Sequence, residues 1–164
     1  MLRVSLWILL LAGAAWAQGS NGYVFFAPGG VSCCGHTAMT VQFGAGGEAV
    51  LGWGIGVGAE IAALGTRQDF ADSVVGAFSP NGYYHFVHGR RAKADPFVTA
   101  GYTLLFRSGH TNLFNFGGGV NYWFRPKLGA RVEFRDFVYH SGGGFGFNGT
   151  TINYWGVRVG LAFR

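Results

Sequence analysis

The chain has 164 residues, of which 49% are hydrophobic, 17% aromatic and only 12% charged, with 12 Lys+Arg against 7 Asp+Glu and 30 glycines. That length holds one domain and excludes a multi-domain enzyme. The aromatic content excludes a disordered chain, the irregular glycine spacing excludes collagen, and a loss of about 1 kcal/mol per glycine inside a helix argues against a helical bundle.

Residues 1–17, MLRVSLWILLLAGAAWA, read as a cleaved secretory signal peptide. Arg3 supplies a basic start, and residues 4–11 form an apolar run shorter than the roughly 20 residues of a spanning helix. Ala15-Trp16-Ala17 has the A-x-A form of a cleavage site, which would leave Gln18 first. The mature chain would then keep 147 residues with 11 basic and 7 acidic side chains. No cysteine follows the site, so no lipid anchor is expected. Residues 18–164 read as a single β domain.

Beyond residue 17 no stretch reaches 18 consecutive apolar residues, so helical spans are not expected. The dominant period is two. Eight strands are predicted near 22–28, 38–49, 53–64, 74–86, 96–107, 112–124, 127–139 and 151–163. The segments 50–52 and 125–126 are tight turns. Segments 29–37, 65–73 and 141–150 read as long loops on the opposite side. Two connections depart from this alternation: 108–111 is short and 87–95 is long. The first strand is the least regular, because Tyr23, Val24, Phe25 and Phe26 do not alternate.

The alternation separates an apolar face from a glycine-rich one. Trp155, Val157, Val159, Leu161 and Phe163 oppose Gly156, Arg158, Gly160 and Ala162. Phe114, Phe116, Val120, Tyr122 and Phe124 oppose Asn115, Gly117, Gly119 and Asn121. In a soluble, lipocalin-like barrel the apolar face would be the core. In a membrane barrel it meets lipid and the other face lines the lumen. Glycine with one or two long charged residues makes a poor wet surface but suits a narrow barrel interior. Aromatics near strand ends suit an interfacial girdle. The expected fold is therefore an all-β, eight-stranded, antiparallel up-and-down transmembrane barrel, with both termini periplasmic and the long loops external.

The segment GGGVNYWFRPKLGARVEFRDFVY, residues 117–139, and the closing YWGVRVGLAFR, residues 154–164, resemble the penultimate hairpin and last strand of the small eight-stranded outer-membrane barrels. These include the OmpA transmembrane domain, OmpX and the broad outer-membrane protein β-barrel domain family. The resemblance covers residues 22–164 in architecture. It implies residence in the bacterial outer membrane, contact with outer-membrane lipid, and insertion by the barrel-assembly machinery. That machinery reads a terminal aromatic in the family; here Phe163 is penultimate and Arg164 is last.

With apolar faces outward, Glu48, Glu60, Glu133, Arg107, Arg131, Arg135 and Arg158 point into the lumen. Buried charges must pair, so a lumen ion network of Glu60 and Glu133 with Arg131, Arg135 and Arg158 is expected. Such a network is either a gate in a narrow pore or a plug that sets barrel shape; a plug suits an interior nearly filled by side chains. Cys33 and Cys34 are adjacent in the first loop and can form a vicinal disulfide, which is favoured over a metal tip shared with His36. His140-Ser141 invites comparison with rim-located lipid A modifying enzymes. The strand 151–163 has no carboxylate, however, and the nearest acid, Asp136, lies on the preceding strand. No catalytic residue, cofactor or metal is therefore assigned. The basic cluster Arg90, Arg91, Lys93 reads as a solvated turn, and no nucleic-acid partner is expected. The reading is a monomeric, non-enzymatic outer-membrane barrel with an envelope or surface-interaction role. A narrow transport pore and a rim lipid A enzyme are the alternatives, and any surface ligand is left open.

Overall fold

Alternating side chains and inserted glycines determine how this chain closes on itself. The structure, a computed structural model, describes residues 19–33, 36–87, 92–107, 109–141 and 150–164. Its strands are β1 (Gly19–Cys33), β2 (His36–Val50), β3 (Ile55–Thr66), β4 (Val75–His85), β5 (Ala94–Phe106), β6 (His110–Arg125), β7 (Leu128–Ser141) and β8 (Thr150–Phe163). A single turn of helix, α1 (Phe70–Ser73), precedes β4. Each strand pairs antiparallel with its sequence neighbour, and β1 pairs with β8, so the sheet is a closed up-and-down barrel. One end carries Gly19, Phe163 and the turns β2–β3, β4–β5 and β6–β7; it is termed the terminal end. The other, the hairpin end, carries the remaining connections.

The barrel is inside out relative to a soluble domain. Phe26, Phe43, Ile61, Phe116, Phe134 and Leu161 are exposed on the outer surface, and Phe114 is 71% exposed. The interior holds Glu48, Glu60, Glu133, Arg131, Arg135 and Arg158, all buried. A soluble fold would make the opposite choice, because water would wet the apolar belt and the charges would lose their hydration. Lipid reverses that balance on the outside, and closure leaves no unpaired strand edge within the apolar layer.

Long lumen side chains fit because the register places small residues beside them. Arg135 lies between Gly117 of β6 and Gly156 of β8. Glu133 lies between Gly119 and Arg158. Glu60 lies between Gly46 and Ser79, and Tyr23 between Gly46 and Ala162. A Cβ at Gly46 would stand 2.6 Å from the Tyr23 hydroxyl, so that ring can cross the lumen only over a glycine.

Several boundaries differ from the sequence expectation. Most of 29–37 is strand, not loop: β1 and β2 stay in register up to Cys33 opposite His36. Gly29 pairs with Gly156, and Gly30 lies under the Trp155 indole, so these glycines serve strand packing. The irregular start of β1 resolves into Tyr23 and Phe25 inside and Val24 and Phe26 outside, because the lumen at that level is itself aromatic. β3 begins at Ile55, two residues late, since Trp53 and Gly54 take positive φ values of 58° and 80° in the turn. Segment 65–73 carries the end of β3 and α1, tied by Thr66 N–H and Oγ1 donating to Ser73 Oγ at 2.8 and 2.9 Å.

A candidate site in the barrel lumen

The predicted charges share one connected array. Arg158 from β8 donates through Nη1 and Nη2 to the two oxygens of Glu60, each at 2.9 Å, and through Nη2 to Gln42 Oε1 at 3.0 Å. Bidentate pairing of this kind satisfies a planar guanidinium well. Arg135 donates from Nε to Glu133 Oε1, with Nη2 in ion-pair contact with the same oxygen, and from Nη1 to Asn115 Oδ1 at 2.9 Å. Arg131 approaches Glu133 Oε2 through Nε and Nη2, both at 3.1 Å. Longer contacts join the halves: Arg158 to Glu133 at 3.7 Å, Arg135 to Glu60 at 3.7 Å and Arg131 to Glu48 at 3.6 Å.

Glu133 is the centre because period-two spacing on β7 places Arg131 and Arg135 on its own face, while the β7–β8 register sets Arg158 directly opposite. Aromatic rings complete the cage. The Arg131 guanidinium lies 4.2 Å from the Tyr23 ring centroid and 4.1 Å from that of Phe97. Arg158 lies 4.2 Å from the Phe25 ring. These contacts replace part of the lost hydration with cation–π attraction. Arg135 is fully buried, at 0% exposure.

Towards the terminal end the array continues through residues the sequence reading did not assign. Asn21 Nδ2 donates to Glu48 at 3.0 Å, and His85 Nε2 lies 3.6 Å from the same carboxylate. The other ring nitrogen, Nδ1, is 3.0 Å from Asp95 Oδ2. Asn121 accepts from Arg131 at 3.3 Å. The lumen thus sets Arg131, Arg135 and Arg158 against Glu48, Glu60, Glu133 and Asp95. The His85 ring lies between the Glu48 and Asp95 carboxylates. Tyr23 donates to Glu60 at 3.1 Å and lies 2.8 Å from the Tyr83 hydroxyl.

Arg107 departs from the expectation. It lies past the last residue of β5, exposed at the hairpin end, and takes no part in this array. His85 was legible from parity with Tyr83 on β4. Asp95 was not, because β5 starts two residues before its predicted boundary. The vicinal bridge expected at Cys33 and Cys34 involves Cys34, which lies outside the described residues. So do the side chains of His140 and Ser141. Asp136 alternates with the inward Arg135 and Phe137 and therefore faces the outside of the sheet. Among the described residues no group of three or more His, Cys, Asp or Glu side chains is placed to hold a metal ion.

Above the array the barrel widens at the hairpin end into a cavity of about 570 Å³. Thr40, Leu64 and Tyr154 separate it from a space of about 20 Å³ beside Gln42, Arg135 and Arg158. That smaller space holds about one water molecule.

No protein-family model matches the chain, and no curated protein matches its sequence. Solved structures do match. Neisserial surface protein A superposes with a TM-score of 0.70 at 10% identity, over 90% of this chain and 97% of that one. The fold is that of the small outer-membrane β-barrels. The N-terminal β-barrel domain of Pseudomonas aeruginosa OprF matches with a TM-score of 0.58 at 17% identity, over 90% and 99% of the two chains. The outer membrane enzyme PagL matches at 0.57 and 14% identity, over 84% and 97%. One barrel architecture therefore serves proteins with different tasks, and the task must be argued from the site.

Proposed function

We propose that this outer-membrane barrel is non-enzymatic, is closed through its lumen, and acts as an envelope scaffold or through its outward end. The observation that carries this reading is the buried array around Glu133, in which three guanidiniums and their carboxylates fill the cross-section. A pore for ions or solutes needs hydrated side chains with room to move, whereas these are desolvated and held by several partners each. We infer that residues 1–17 are removed on export, that the terminal end faces the periplasm, and that the hairpin end faces outward. Insertion through the barrel-assembly machinery and a monomeric state in lipid belong to the same reading. Non-enzymatic status is supported by the absence of carboxylates from β8.

Single-channel recording of the purified protein in planar bilayers tests the closure. The expected trace shows no discrete steps at neutral pH. Reproducible steps of uniform size would replace this reading with that of a narrow transport pore. Loss of an acyl chain from the lipid A of cells making the protein would replace it with a rim enzyme.

A further inference from the structure

We propose that the cavity at the hairpin end binds a free single-chain amphiphile with an anionic head, of the fatty-acid class. The tail lies against Leu64, Leu105 and Tyr154, and the head lies at Arg107. A volume of about 570 Å³ falls within the range of about 300–1,000 Å³ typical of small-molecule pockets. The wall is largely aliphatic and aromatic, with Val31, Val75, Leu105, Phe106 and Ile152 among its residues. Its hydroxyls at Thr66 and Ser73 are already engaged: Thr66 donates to Ser73 Oγ at 2.9 Å, and Ser73 donates to the Asp69 carbonyl at 2.6 Å. An alkyl chain would displace water from apolar surface.

The charge distribution sets the head group. Arg107 and His110 line the cavity on the β5–β6 hairpin, and no residue lining it is acidic. Among the described residues no ion pair joins Arg107 to a carboxylate. The lumen arginines do not compete for the anion, because they are paired with Glu48, Glu60 and Glu133 and Thr40, Leu64 and Tyr154 stand between. A cationic rim over an apolar floor orients an amphiphile tail-down, and a guanidinium holds a carboxylate by charge-assisted hydrogen bonds.

The test uses the full mature chain in phosphatidylcholine nanodiscs, with empty discs as the background and dodecanoate and dodecanol as probes. Wild-type protein is expected to bind dodecanoate saturably at one site and to prefer it to the uncharged alcohol. Arg107→Gln should weaken dodecanoate about tenfold and erase that preference. Leu105→Trp, which fills the cavity, should remove binding of both probes. Heat-dependent gel mobility confirms that each variant is folded. Uptake no greater than in empty discs would overturn the proposal, as would an unchanged carboxylate preference in Arg107→Gln. Loss of dodecanoate binding in phosphatidylglycerol discs would assign the cavity to a membrane lipid and overturn the free amphiphile. The reading of lumen closure is tested by conductance alone, so either proposal can fail without the other.

Discussion

Glu133 meets three arginines from two strands, and its removal bears on stability more than on any contact at the surface. Its oxygens receive Arg131 and Arg135, and Arg158 stands 3.7 Å away. Glu133→Ala leaves this cluster short of one charge in a buried space, and truncating one partner of a buried pair costs about 3–5 kcal/mol. Unfolding of the variant in urea, followed by tryptophan fluorescence in micelles, should show a loss of that order. Adding Arg135→Ala should recover part of the loss, since it removes one uncompensated cation, and the non-additivity measures the coupling. A single variant as stable as the wild type would mean that Glu133 does not face these arginines. The fit of the large residues depends equally on the small ones. Gly46, Gly117, Gly119 and Gly156 occupy the register positions beside Tyr23, Arg135, Glu133 and Arg135 respectively.

At the scale of the strand, period-two alternation decides which side chains meet lipid. The pattern was legible in the sequence for 114–124, 128–135 and 154–164, because glycines and charges occupy one parity and aromatics the other. It was least legible in β1, where aromatics occupy both parities and the inner ones serve as platforms for Arg131 and Arg158. The inclusion of 29–33 in β1 was hidden because Gly29 and Gly30 are ordinary loop residues. Their strand role comes from close approach to β8, which only the register reveals. Likewise, Glu48, Glu60, Glu133, Arg131, Arg135 and Arg158 were recognisable as inward, whereas the bidentate pairing of Arg158 with Glu60 joins residues 98 apart in sequence. No local pattern specifies that partner. Site-specific labelling tests the alternation in a Cys33→Ser, Cys34→Ser background. Phe116→Cys on β6 should react with a membrane-soluble maleimide in liposomes, and Asn115→Cys should resist it. Equal reaction at both sites, or the reverse order, would contradict the assigned faces.

For the whole molecule, the fold is stabilised by two opposite solvation choices made on the two faces of one sheet. Outside, an apolar belt with exposed aromatics such as Trp53, Tyr84, Phe86 and Phe124 matches a lipid layer and its interfaces. Inside, paired charges and glycine-matched packing hold a desolvated array that water would otherwise dissolve. Closure between β1 and β8 removes the edge strands, so unfolding must break the ring rather than fray it. The measurement that bears most directly on this account is gel mobility of the mature chain in SDS, unboiled against boiled. The account predicts a compact, folded band without heating that moves to a different mobility after boiling. A single band at one mobility under both conditions, with the protein remaining in solution without detergent, would contradict it. The apolar face would then be a buried core, and the charged array would lie on the surface.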